Sequence, residues 1–173
     1  MTYPRAVTIR SARASDFRAI TAITNRLIAT SAIHFGYEPL GDDELAAQWR
    51  AHTDRHPWFV TTDDHDTVLG YAKSGPWRER AAYAWTCETT IHLAESARGR
   101  GVGTTLYTTL LDELATRGFR SAIAGIALPN AASIALHERL GFTHVGVFRD
   151  AGFKLDAWHA VAFYQRMLTA AAS

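Results

Sequence analysis

Residues 83–103, YAWTCETTIHLAESARGRGVG, decide how this chain folds. Their first half is β-branched and aromatic and reads as a long central strand over 83–93. Their second half, Arg98-Gly99-Arg100-Gly101-Val102-Gly103, leads into a helical pattern over 104–115. Leu106, Leu110, Leu111 and Leu114 share one face of that helix, and Gly118 stops it. Glycines between strand and helix let backbone N–H groups approach an anion with no Cβ in the way. The helix adds unpaired amides and its positive dipole end, and Arg98 and Arg100 add charge. Chemically this is a pyrophosphate cradle, although the same residues alone also describe a flexible basic turn. A Rossmann fingerprint wants a third glycine near Leu106, and a P-loop wants Gly-Lys-Ser/Thr; neither is present.

Working outward, residues 7–10 form a short β-prone run. Ser15 or Asp16 offers a cap to a helix marked by Phe17, Ile20, Ile23, Leu27 and Ile28. Residues 30–40 lack a period and contain Gly36 and Pro39, which predicts a loop. Asp42 or Asp43 caps a second helix through Leu45, Ala46 and Trp49. Strands are expected over 58–62 and 68–72, joined by a polar turn, with a loop over 74–80. Downstream come a strand over 121–128, a break at Pro129 and Asn130, a short helix over 133–140, and strands over 142–148 and 158–165. The order predicts one mixed α/β layer domain over residues 1–173.

The 173 residues are 47% hydrophobic and 20% charged, enough apolar surface for a core without staples. Cys87 stands alone, which excludes an internal disulfide and a multi-cysteine zinc site. His52, His56 and His65 lie scattered in polar surroundings, so no metal is expected. Net charge is +1 with no basic tail or stripe, so no nucleic-acid partner is expected. No secretion signal and no apolar run of about 20 residues is visible, which predicts a cytoplasmic protein without a membrane partner.

Residues 98–103 resemble the R/Q-x-x-G-x-G/A motif of the GNAT acetyltransferases, and residues 130–142, NAASIALHERLGF, resemble that superfamily's second cofactor-side segment. More narrowly, the chain resembles the phosphinothricin and methionine sulfoximine type of N-acetyltransferase over nearly its whole length. Gly75-Pro76-Trp77, the strand with Glu88, Thr105-Leu106-Tyr107, Leu128-Pro129-Asn130 and Gly152-Phe153-Lys154 carry that likeness. It implies the GNAT fold, a central, mostly antiparallel twisted sheet flanked by helices. It also implies acetyl-CoA as co-substrate, a small amino-acid-like acceptor and a homodimer.

Amine acetylation needs a base, a polarised thioester and a proton for the departing thiolate. Glu88 is an acid in an otherwise apolar strand; by position alone an outward-facing surface glutamate is the readier reading, and the resemblance reverses that order and makes it the catalytic base. His137, seven residues after Asn130, is implied as the acid toward the thiolate, with water as the alternative. The resemblance further gives cofactor contacts to the backbone of Ile91, His92 and Leu93, to residues Arg98, Gly99, Arg100, Gly101, Val102 and Gly103, and to Asn130. It places Phe35, Arg78, Arg80, Tyr83 and Tyr107 at the acceptor, where arginines suit a carboxylate or phosphinate. His92 departs from the family, whose close members carry tyrosine there. Two other readings share the fold: acetylation of a protein N-terminus or polyamine, and a non-catalytic CoA-binding sensor.

Overall fold

The computed structural model describes residues 7–168. The elements are β1 (Thr8–Ser11), α1 (Phe17–Thr30), α2 (Asp42–His52), β2 (Trp58–Thr62), β3 (Val68–Pro76), β4 (Thr86–Leu93), α3 (Val102–Thr116), β5 (Ser121–Ala127), α4 (Ala131–Arg139), β6 (Thr143–Lys154) and β7 (Ala157–Met167). They build one seven-stranded sheet in the order β1-β2-β3-β4-β5-β7-β6. Every neighbouring pair is antiparallel except β4 and β5. This is the mixed α/β sheet expected.

Helices cover both faces. On one, the α3 stripe of Leu106, Leu110, Leu111 and Leu114 is fully buried against Ala72, Cys87, Ala122 and Ala124. On the other, Phe17 and Ile20 of α1 and Leu45 of α2 pack on Trp58, Val60 and Tyr71. β2 and β3 therefore alternate between two helix layers, Phe59 and Ala72 toward α3 and Val60 and Tyr71 toward α1 and α2, the β period of two turned into a three-layer sandwich.

Several boundaries differ from the sequence reading. Asp16 closes a turn ahead of α1 by accepting the Arg13 amide at 2.7 Å while Arg10 pairs with its carboxylate. Gly41 precedes α2, and Asp42, Asp43 and Glu44 fill its first turn, where the helix dipole favours acids. β3 continues through Ser74, Gly75 and Pro76, because β4 opposite supplies partners for them. Tyr83 belongs to a short 3-10 turn, Ala81–Tyr83, and β4 begins at Thr86.

The last hairpin departs most. β6 runs to Lys154, with its register broken between Phe148 and Gly152. It turns through Leu155 and Asp156, both left-handed at φ 52° and 57°. That is the backbone of a tight hairpin turn written without asparagine or glycine, so the usual sequence signal is missing. Trp158 is 63% exposed and meets the ring of Phe153 edge-on.

The hairpin holds the α1–α2 connection. Lys154 is buried and donates to the carbonyls of Ile28 and His34, both at 2.6 Å. Ile28 lies in the last turn of α1, where free carbonyls and the negative dipole end favour a cation. Tyr37 donates to the Phe153 carbonyl. Gly152 lies against Phe35, where a Cβ would come within 2.5 Å of the ring. Lys154→Met leaves both carbonyls without their donor. It should lower unfolding free energy by about 1–3 kcal/mol in urea titrations and speed amide exchange across 31–41.

Candidate active site

The parallel pair carries the site. β4 and β5 match for three residues only, Thr86 with Ser121, Cys87 with Ala122 and Glu88 with Ile123. Beyond Glu88 the strands part. β4 stays paired with β3 as far as Leu93, and β5 with β7 as far as Ala127, so their facing edges are open. Ile91, His92 and Leu93 all lie on the open edge of β4, and an extended ligand with amide groups fits it as an added strand.

The loop at the end of β4 suits a phosphate-bearing group. Gly99 and Gly101 have left-handed backbone, φ 71° and 76°, and a Cβ on either would point into open space. Their need for glycine is therefore conformational. Gly103 is different: a Cβ there would lie 3.1 Å from the Leu93 side chain, so glycine lets α3 approach β4 closely. The amides of Thr104 and Thr105 turn back to the Gly101 carbonyl. Val102 and Gly103 open the helix and have no intrahelical acceptor for their amides. Arg98 and Arg100 are exposed beside them. Asn130 caps α4, its side chain accepting the Ser133 amide at 3.1 Å.

Strand alternation sorts the side chains of β4. Cys87 and Thr89 are buried toward α3, with Ile91 and Leu93 packed on the same core. Burial pushes the Cys87 thiol up to about 12, which leaves it unreactive. Glu88 faces the other side, on the face shared with Thr86, Thr90 and His92. Its side chain is open to solvent, yet desolvation by its surroundings raises its pKa above 4.5 against the opposing pull of Lys73 and Arg78. Arg78 and Tyr83 border a hollow of about 300 Å³ that Thr86, Arg55 and His56 also line. Arg80 is exposed at the start of the 3-10 turn and does not line this hollow. Phe35 lies across the sheet against Gly152.

His137 and Tyr107 sit behind the parting, in the interior. Tyr107 is fully buried and His137 is 3% exposed. Burial holds the imidazole below its usual 6.5 and therefore neutral at neutral pH. Its Nδ1–H donates to the Ser133 carbonyl at 2.7 Å, and Nε2 accepts from the Tyr107 hydroxyl at 3.1 Å. The Thr89 hydroxyl completes the chain, 2.6 Å from the Tyr107 oxygen and 3.2 Å from the Ile123 carbonyl. Both ring nitrogens are thus engaged inside, which does not suit the expected donation to a thiolate. Tyr107, expected at the acceptor, supports the floor of the cleft. Sequence reading missed Lys73 and quoted Trp77 only as part of the family likeness, with no place in the site. Lys73 is an ionisable residue in the strand beside Glu88, the same signal that marked Glu88 itself. Trp77 rests edge-on against Phe163 of β7 at 5.8 Å, a contact only the sheet order creates.

Four histidines of these layers are held neutral by burial: His56 down to about 4, His92 down to about 3, and His34 and His137. In the unfolded chain they take protons near 6.5. Below that pH the unfolded state binds more protons, so stability falls on acidification, with the His56 share lost between about 6.5 and 4. Urea midpoints measured from pH 7.5 to 4 should show this fall. His56→Gln should flatten it by up to roughly 1.4 kcal/mol per pH unit, and an unchanged slope would remove His56 from the account.

Comparison with known proteins agrees with this geometry. A sequence profile of the Acetyltransferase (GNAT) family matches residues 20–142. The chain is 43% identical over 162 residues to phosphinothricin N-acetyltransferase of Streptomyces viridochromogenes, covering 94% of this chain and 88% of that one. It is 32% identical over 162 residues to L-methionine sulfoximine/L-methionine sulfone acetyltransferase of Salmonella typhimurium, covering 94% and 95%. A phosphinothricin acetyltransferase from Sinorhizobium meliloti, solved in complex with AcCoA, superimposes with a TM-score of 0.91 at 35% identity over 94% of this chain and 89% of that one. With its parted parallel strands, its left-handed glycine loop and these relatives, the chain belongs to the GNAT family of N-acetyltransferases.

Proposed function

We propose that this enzyme transfers the acetyl group of acetyl-CoA directly to the α-amino group of a small glutamate-like amino acid, such as phosphinothricin, methionine sulfoximine or methionine sulfone. The observation that carries this reading is Glu88, an acid held above its usual pKa at the point where β4 and β5 part. Acetyl-CoA supplies an acetyl group activated as a thioester. The 98–103 loop and the first turn of α3 would hold its pyrophosphate, and the open edge of β4 over Ile91, His92 and Leu93 its amide-bearing arm.

An amino acid reaches the cleft as an ammonium ion. Glu88 takes one of its protons, directly or through water, and its raised pKa brings it closer to that task. Arg78 supplies a cation for the acceptor's carboxylate, and Tyr83 a wall beside it. With both nitrogens of His137 engaged inside, water is the source of the proton that the thiolate recovers. A polyamine acceptor fits poorly, since Lys73 and Arg78 both bear on Glu88.

Among the described residues no helix is long and apolar enough to cross a membrane, and we place the enzyme in the cytoplasm, where acetyl-CoA is available. We also propose a homodimer formed through β6 and β7, where Val145, Phe148 and Trp158 are each more than 60% exposed. Sedimentation equilibrium should give the dimer mass for the native chain and the monomer mass for Phe148→Asp. A native monomer would sink this assembly.

Glu88→Gln should lower kcat about 10²–10⁴-fold while the Kd for acetyl-CoA, measured by calorimetry, stays unchanged. Unchanged turnover would remove Glu88 as the base. A thiol-release assay on the three acceptors named, with glutamate, spermidine and a short peptide beside them, tests the acceptor class. Turnover on spermidine or peptide alone keeps acetyl transfer and discards the amino-acid acceptor. Tight acetyl-CoA binding without turnover on any of them would favour a sensor.

A further inference from the structure

Lys73 is a cation with no ion pair among the described residues, in a cavity beside the proposed base. β3 and β4 pair so that Gly75 opposes Glu88, Lys73 opposes Thr90 and Tyr71 opposes His92. Lys73, Glu88, Thr90 and His92 therefore share one face of the sheet. Between that face and α1 and α2 lies a cavity of about 210 Å³, lined by Lys73, Thr90, His92, Tyr71, His34 and Gln48 among others. No aspartate or glutamate is among its lining residues.

The groups around Lys73 are already satisfied or neutral. The Tyr71 hydroxyl donates to Thr24 at 2.7 Å, and Thr24 donates on to the Ile20 carbonyl at 2.9 Å. His34 Nδ1 accepts the Gly36 amide at 3.0 Å. Burial keeps both His34 and His92 from charging. Lys73 differs. Its Nζ lies 4.6 Å from the centre of the Trp58 ring, and among the described residues it makes no ion pair and no hydrogen bond. Burial pulls its pKa below 10.5, and the field of Glu88 pushes it back. An ammonium held this way gains most from an anion that enters the cavity.

We infer that Lys73 selects the acceptor's side chain: it receives an anionic group at the far end of the acceptor while the acceptor's amine lies at Glu88. The inference rests on the acetyl-transfer reading above and narrows its acceptor class. Acceptors with a phosphinate or carboxylate tail are preferred over those of similar length ending in a neutral sulfone. Arg78, which borders the hollow on the other side of Glu88 near Thr86, is left to the α-carboxylate.

The test compares the native chain with Lys73→Met, which keeps the stem over Trp58, and with Lys73→Arg, which keeps the charge. Phosphinothricin and methionine sulfone serve as probes, charged and neutral at the tail. KM and kcat are measured for each, and phosphinothricin is also titrated calorimetrically into protein saturated with CoA. Lys73→Met should raise KM and Kd for phosphinothricin about 10- to 100-fold and leave the KM for the sulfone within about twofold. Lys73→Arg should restore most of the loss. Equal changes with both probes would mean that Lys73 acts through Glu88 or through packing, and would overturn the assignment, as would no change at all. The two readings fail separately. Without turnover on either probe the transfer reading falls, while loss of calorimetric phosphinothricin binding in Lys73→Met alone still supports Lys73. Failure of the native chain to bind phosphinothricin overturns it.

Discussion

The architecture turns on one interrupted ladder. Parallel β4 and β5 match for three residues and then separate, each kept straight by an antiparallel neighbour on its outer edge. A strand edge left open inside a sheet exposes unpaired backbone donors and acceptors, which need a partner. Here that need suits the role proposed for the gap, which is to take an extended, amide-bearing ligand. The gap does not collapse because large side chains fill the space behind it. Tyr107 stacks on Phe142, and His137 meets both rings edge-on. Thr89, the first residue past the matched stretch, ties β4 to Tyr107 and reaches the Ile123 carbonyl that the ladder abandons.

From that interruption the chemistry follows by alternation. One strand serves three roles: its backbone edge faces the cleft, its odd-numbered side chains join the α3 core, and its even-numbered ones face the proposed acceptor side. Glu88 and Thr89 are adjacent in sequence and lie on opposite faces, one the proposed base and the other a support of the cleft floor. A shift of register by one residue would bury the acid and expose the threonine.

The proposed acceptor side also depends on a distant clamp. The loop carrying His34 and Phe35 is held by the tip of the β6–β7 hairpin, through Lys154 on its carbonyls and Gly152 against the ring of Phe35. The segment Gly152-Phe153-Lys154, quoted above as part of the family likeness, thereby acquires a physical reason. Its lysine neutralises the end of α1, and its glycine leaves room for an aromatic ring.

The sequence by itself determined the elements, because periodicity, glycines and prolines act over a few residues. The α3 stripe, the glycine loop, the break at Pro129 and the acid in an apolar strand were all legible in it. Hairpin ends were less so: Leu155 and Asp156 adopt a turn that their residue types do not announce, and β3 runs through Gly75 and Pro76 because β4 lies beside it. Tertiary structure alone decided which residues meet. It turned His137 and Tyr107 inward, put Phe35 beside Gly152, and set Lys73 in a cavity next to Glu88 with no ion pair among the described residues. Those outcomes depend on strand order and register, which join residues far apart in the chain. Local spacing carries no information about a partner that arrives from another strand.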